Sequence, residues 1–280
     1  MEPAAVSSNT PDQIRIIANT LRKQVIRMIG KAGSGHPGGS LSAADIVATL
    51  YFSVLRHDPA NSKWADRDRF ILSKGHAAPV LYACLAEAGY FDKDLLATLR
   101  QMGSPLQGHT DMNLVPGVDA SAGSLGQGLS IGNGIALAAR LDGRDCRVYV
   151  LLGDGECNEG QVWEAAMASA HYRLENVVAI IDKNGLQIDG RTTDVMNTEP
   201  MADKWRAFGW HTIEVDGHSI PELLAAFEVA KQTKGKPTAI VAKTVKGKGV
   251  SFMENNVDFH GKAPSAAEVE KALEDLERLQ

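Results

Sequence analysis

Val148-Tyr149-Val150-Leu151-Leu152-Gly153-Asp154-Gly155-Glu156, then a helical stretch, then Val177-Val178-Ala179-Ile180-Ile181-Asp182-Lys183-Asn184, is the part of this sequence that decides the fold. Two short apolar runs rich in β-branched residues flank a helix, which is the pattern of a βαβ unit. Gly153 and Gly155 sit where the first strand turns into the helix. There they let the backbone approach a ligand, and a helix start favours an anion. Asp154 ends one strand and Asn184 ends the next. Parallel neighbouring strands bring such ends together, so two oxygen ligands far apart in sequence can share one ion. Oxygen donors beside a phosphate suit Mg²⁺. On spacing alone, a buried Asp and Asn that merely cap turns fit as well.

Working outward, strands are expected at Phe70–Leu72, His211–Val215 and Thr238–Ala242, each separated from the next by helical patterns. Strands alternating with helices argue an α/β fold, a mainly parallel sheet with helices on both faces. Thr10-Pro11-Asp12-Gln13 reads as a capping box with proline at the first helical position. Ile14, Ile17, Leu21, Val25 and Met28 then fall on one face. Gly30 to Gly39 breaks that helix, and Ser42 is expected to cap the next, with Ile46, Val47, Leu50, Tyr51 and Val54 inward. Shorter helices are expected at Ala77–Ala88, Leu95–Gln101 and Asp203–Phe208. Ser219-Ile220-Pro221-Glu222 reads as a further capping box, and Ser265-Ala266-Ala267-Glu268 starts a last helix. Gly126, Gly128, Gly132 and Gly134 interrupt a helix ending near Leu141. They mark a close approach either to a ligand or to a packed neighbour. Gly33-Ser34-Gly35-His36-Pro37-Gly38 matches G-x-G-x-x-G, yet a helix precedes it and a proline sits inside it, so it is not a dinucleotide fingerprint.

At 280 residues, with 44% apolar residues, the chain can bury a sizeable core as one large domain over 10–280, with residues 1–9 expected to be disordered. The net charge of −5 is spread along the chain, which gives no field for nucleic acid. No apolar run approaches the ~20 residues that span a bilayer, so no membrane partner is expected. Three cysteines without metal-type spacing suit a reducing cytoplasm.

Gly153-Asp154-Gly155 followed at a distance by Asn184 resembles the fingerprint of thiamine-diphosphate enzymes. Asn184-Gly185-Leu186-Gln187-Ile188-Asp189-Gly190 resembles the transketolase family in particular. So do Gly35-His36-Pro37-Gly38, Ser73-Lys74-Gly75-His76-Ala77, Gly123-Ser124-Leu125-Gly126-Gln127-Gly128 and His260-Gly261, in the family's order. The chain ends where a single-chain member would begin its pyrimidine-binding domain. The resemblance therefore implies the N-terminal, diphosphate-binding subunit of a split transketolase. It would transfer a two-carbon ketol unit from a ketose (phosphate) to an aldose (phosphate), together with a C-terminal subunit carrying the pyrimidine-binding domain, in an assembly with two copies of each.

The resemblance also assigns residues. Asp154, Asn184 and the backbone oxygen of Leu186 would hold Mg²⁺, and Gly155 N–H would meet the diphosphate of thiamine diphosphate. Ile188 would lie against the thiazolium, with Gly123 and Leu125 near the aminopyrimidine. Ser124 replaces a common proline, with little expected consequence where the contacts are main-chain. His76 and His260 would reach the diphosphate side, and His36, His109 and His260 would line the sugar channel, where imidazole can donate, accept or move a proton. Glu159 would be a proton-relay acid at the subunit interface; read alone, it is a carboxylate at a helix start. Cys157 reads as a small buried filler. His57, His171, His211 and His218 are read as structural. The alternatives are a 1-deoxyxylulose-5-phosphate synthase-like enzyme and a non-catalytic cofactor-binding module.

Overall fold

The computed structural model describes residues 9–279. The disorder expected for residues 1–9 falls outside the described residues except at Asn9, whose side chain donates to Phe52 O at 2.8 Å. In chain order the strands are β1 (Arg69–Leu72), β2 (Val148–Gly153), β3 (Val177–Lys183), the short β4 (Leu186–Gln187) and β5 (Gly190–Arg191), β6 (His211–Asp216) and β7 (Thr238–Lys243). The helices are α1 (Pro11–Ala32), α2 (Pro37–Ser42), α3 (Ala44–Thr49), α4 (Ala78–Glu87), α5 (Gln127–Leu141), α6 (Gly160–His171), α7 (Thr192–Val195), α8 (Met201–Ala207), α9 (Ile220–Gln232) and α10 (Ala266–Glu277).

Five strands form one sheet in the order β1-β2-β3-β7-β6, and β4 pairs with β5. Every pairing in the large sheet is parallel, and Gly153, Asp182 and Ala242 lie level at its C-terminal edge. Alternation along the strands feeds two cores. Tyr149, Leu151, Val178, Ile180, Ile240 and Ala242 face α1, α3, α4, α9 and α10. Val148, Val150, Leu152, Ala179, Ile181 and Val241 face α5, α6 and α8. A fully buried aliphatic side chain contributes about 1.5–3 kcal/mol, so the sheet interior dominates the folding free energy. The chain leaves β3 toward α8 on one face and leaves β7 toward α10 on the other. Divergent connections between neighbouring strands open a crevice at their C-terminal ends, where open α/β sheets bind ligands.

The Thr10 box forms, with Gln13 N–H donating to Thr10 Oγ1 at 3.3 Å and Thr10 N–H to Gln13 Oε1 at 2.8 Å, and so does the box at Ser265. Four local expectations need correcting. α1 runs through Gly30 to Ala32, because a Cβ at Gly30 would lie 2.4 Å from Val269 of α10: this glycine packs a neighbour and does not end the helix. Ser42 closes α2 instead of capping α3, and its hydroxyl donates to Asp182. Ser219 precedes α9 without a side-chain cap, because Glu222 reaches back to Asp216 N–H at 2.9 Å. The helix expected at Leu95–Gln101 is a 3₁₀ turn over Lys93–Thr98, followed by Arg100 in a left-handed conformation. In α5 a Cβ at Gly132 would come within 2.8 Å of Val150 Cγ2, so at this position close packing on β2 is what requires glycine.

Candidate active site

The C-terminal edge of the sheet gathers Lys74 after β1, Asp154 after β2, Asp182 at the end of β3 and Thr244 and Lys246 after β7. Asp182 is fully buried and is the anchor of the site. It pairs with the Lys74 ammonium and accepts hydrogen bonds from the hydroxyls of Ser42, at 2.6 Å, and Thr244. Burial alone would raise its pKa, but the Lys74 charge and these donors outweigh burial and hold it below the usual carboxylate value. Lys74 also donates to Gly39 O at 2.8 Å, which ties α2 to the strand ends.

Asp154 is set the other way. Burial and the nearby Asp182 push its pKa up to about 6, against the pull of the Gly185 and Gly155 amides and Lys246. Its two oxygens accept from Gly185 N–H at 2.6 Å and from Gly155 N–H at 2.9 Å. The Gly155 amide, expected to meet a diphosphate, is thus turned to Asp154. Asn184 Oδ1 accepts from Leu186 N–H at 3.1 Å, and Leu186 O accepts from Lys246 Nζ at 3.1 Å. Lys246 is buried with no carboxylate in contact among the described residues, and burial followed by Lys74 lowers its pKa to about 8.

Three of the four singled-out histidines meet here. The ring centroids of His36 and His76 are 5.3 Å apart, those of His36 and His260 5.6 Å, and those of His76 and His260 5.0 Å. His109 is among the groups that lower the pKa of His36. Desolvation is the foremost cause that lowers the pKa of each of the four. It lowers His36 to about 4, with Arg100, His109 and Lys246 adding to it, and His260 to about 3, with Lys246 foremost among the charges. His76 and His109 are lowered too, by burial first and then by Lys74 and Arg100 respectively.

Gly123, Ile188 and Glu159 are exposed and Leu125 is half-buried. Ile188 keeps 66% of its surface accessible. Glu159 is the residue immediately before α6, and its Cβ lies 2.7 Å from the Cβ position of Gly126. The three cysteines are free and buried, Cys157 among them. His218 fits its structural reading, with Nδ1 on Asp45 at 2.7 Å and Nε2 accepting from Val245 N–H at 2.9 Å, next to Lys246.

Sequence reasoning missed the polar scaffold. It gives no role to Asp182, Lys74, Thr244 or Lys246, although all lie at or just after strand ends and so stand at the ligand edge. Glu156 is missed as well. Its buried carboxylate accepts from Ser73 Oγ, from Gly126 N–H at 2.9 Å and from Gly153 N–H at 2.9 Å, so it joins three glycine-bearing motifs.

The donors present fit thiamine diphosphate and Mg²⁺. Asp154 is a carboxylate short of a cation, and Lys246 is a buried ammonium short of an anion. The Asp154 carboxylate, Asn184 Oδ1 and Leu186 O are hard oxygen donors, each with lone pairs left for a further bond. Among the described residues no group of three His, Cys, Asp or Glu side chains could hold a metal, so an ion here relies on the amide and the carbonyl.

Residues 14–277 match the family model for the transketolase thiamine diphosphate binding domain. The chain belongs to the transketolase family. It is 46% identical over 261 residues to the 6-deoxy-6-sulfo-D-fructose transketolase subunit SqwG of Clostridium sp. (strain MSTE9), covering 93% of this chain and 95% of that one. It is 43% identical over 260 residues to an apulose-4-phosphate transketolase subunit of Phocaeicola vulgatus, covering 92% of each. Transketolase from Campylobacter jejuni superposes with a TM-score of 0.89 at 35% identity; this covers 94% of the chain but only 42% of that single-chain enzyme. Near full-length identity to chains named as subunits makes this chain the N-terminal subunit of a split transketolase, and these matches do not favour the synthase-like alternative or the non-catalytic one. Among the described residues no helix is long and apolar enough to cross a membrane.

Proposed function

We propose that this transketolase subunit holds thiamine diphosphate and Mg²⁺ at the sheet edge and, with a second subunit carrying the pyrimidine-binding domain, moves a two-carbon ketol unit from a ketose to an aldose. The observation that carries this is the convergence of His36, His76 and His260 on Lys246 and the Asp154–Asp182 pair at the ends of β1, β2, β3 and β7. Bound there, the cofactor supplies the nucleophilic carbon and the electron sink.

The chain's own residues do the rest. Asp154, Asn184 and Leu186 O hold the metal. His76, Lys246 and His260 hold the diphosphate, and Lys74 and Asp182 keep the strand ends in place beneath them. Gly123, Leu125 and Ile188 bound the cofactor rings, and Glu159 meets the partner subunit. His36, His109 and His260, held neutral, donate to the hydroxyl and carbonyl oxygens of the sugar. Neutral imidazoles suit this task, because they do not repel an ammonium-rich floor and can still donate a hydrogen bond.

Two relatives are named for ketoses with an anionic end, a sulfonate in one and a phosphate in the other. This supports sugar phosphates, or sugars with a like charge, as substrates. Closed two-fold symmetry supports two copies of each subunit, and three free thiols support a cytoplasmic site. The test is to co-purify the chain with the candidate partner and measure ketol transfer over several ketose–aldose pairs with thiamine diphosphate and Mg²⁺. Transfer that requires both chains supports the reading, and a complex that transfers nothing from any ketose refutes it.

A further inference from the structure

Arg100 lies outside every motif singled out in the sequence, yet it reaches the site. Its backbone is left-handed, with φ of 59°, a region that a side-chain-bearing residue rarely adopts. The Arg100 N–H donates to Leu106 O at 2.8 Å, which holds it there. From this position Nη1 donates to Ser34 Oγ at 2.8 Å, and Nη2 meets His36 Nδ1 at 3.3 Å. The guanidinium lies against Gly108, where an added Cβ would come within 3.0 Å of Cζ. One side chain therefore sits between the loop that carries His36 and the loop that carries His109. Arg100 Nε is buried with no hydrogen-bond partner among the described residues. A strained backbone and an orphaned donor both cost stability, and such costs persist where the placement of the side chain matters.

A guanidinium has only donors and stays charged. Nδ1 of His36, facing it, must accept, so the proton of the neutral ring is on Nε2. We propose that Arg100 is a positioning residue that locks His36 as the Nε2–H tautomer, so that the ring offers the sugar a hydrogen-bond donor. This rests on the reading of His36 as a sugar-channel residue. The groups around His36 agree with it. Burial, Arg100, His109 and Lys246 all disfavour a second proton on the ring, and the His76 and His260 rings lie on its other sides. The Nε2 edge faces Gly261, whose Cβ position is 3.4 Å away. The same logic recurs at His260, whose Nδ1 lies 2.8 Å from Lys246 Nζ. Two facing histidines are then both donors through Nε2, a set suited to the carbonyl and hydroxyl oxygens of a ketose.

The test is nuclear magnetic resonance of the full chain labelled with ¹⁵N at histidine, with His36→Gln to assign the ring. The wild type is expected to show Nδ1 unprotonated and Nε2 protonated. Arg100→Met, which keeps an apolar stem, should lose that signature, and Arg100→Lys, which keeps a donor, should retain it. In the assembled enzyme Arg100→Met should lower donor kcat/KM at least about 10-fold, short of the ~10²–10⁴-fold typical of removing an acid–base group outright. It should also move the acidic limb of the pH profile upward, and Arg100→Lys should recover part of both. A wild-type ring protonated on Nδ1 overturns the proposal, and so does an unchanged signature in Arg100→Met. Should Arg100→Met not fold, the wild-type and Arg100→Lys spectra decide the tautomer. Full ketol transfer by His36→Gln, with the spectra as expected, would refute the sugar-channel reading and leave the tautomer assignment standing.

Discussion

Asp182→Asn isolates the charge on which the site is built. The amide keeps the shape of the carboxylate. Its oxygen can still accept from Ser42 and Lys74, and the Thr244 hydroxyl can turn to accept from the new NH₂. What disappears is the anion beneath Lys74. Asp182 and Lys74 are 0% and 2% exposed, so water cannot take over its role. Leaving one member of a buried pair uncompensated costs about 3–5 kcal/mol. That is a large part of a total stability of about 5–15 kcal/mol. At about 2–4 °C per kcal/mol for a chain near this size, the melting temperature should fall by roughly 6–20 °C. Lys74→Met should cost a similar amount, by stranding Asp182. The double variant removes both charges and should be more stable than either single one, giving a coupling above about 1 kcal/mol in a double-mutant cycle. Urea and thermal denaturation of the full chain at pH 7.5 supply the numbers. If Asp182→Asn changes stability by less than about 1 kcal/mol, or if the two substitutions simply add, the pair is not the anchor of the site.

Three further outcomes follow from the same geometry. His36, His76, His109 and His260 all have folded pKa values below the free value of 6.5, so the unfolded chain binds more protons below that pH. Stability should therefore fall as pH drops from about 6.5 toward 4, and equal or greater stability at pH 5 than at pH 7.5 in urea titrations would contradict this. Asp154→Ala should abolish Mg²⁺-dependent binding of thiamine diphosphate to the assembled enzyme while circular dichroism stays near wild type; unchanged affinity by calorimetry would remove Asp154 from the metal site. The purified chain alone, given cofactor and Mg²⁺, should show no ketol transfer until the partner is added, and full activity without a partner would overturn the two-subunit mechanism.

Much of the fold was legible because strands declare themselves locally. Val148–Leu152, Val177–Ile181 and Thr238–Ala242 are apolar runs too short to be anything but buried strands between helices, and each appears within two residues of its expected span. The Thr10 box and the helix start at Ser265 were legible for the same reason, since in both the capping donor and acceptor lie three residues apart. The cap expected at Ser42 and the box expected at Ser219 failed because another group competed for the side chain. Asp182 claimed the Ser42 hydroxyl, and the Asp216 amide claimed Glu222.

By itself, the sequence determined the alternation of strands and helices, the parallel sheet and the motifs that mark the family, because these depend on neighbours a few residues apart and on residue types at fixed spacing. Only the tertiary structure decided the electrostatics of the site. Asp154 and Asp182 are both aspartates at strand ends, yet one is raised and the other lowered. The difference lies in Lys74, which is 108 residues from Asp182 in sequence and in direct contact with it in space. Likewise Arg100 meets His36 across 64 residues. Charge and hydrogen bonding act over a few ångströms once water is excluded, and which groups come within that range is set by packing, not by sequence spacing.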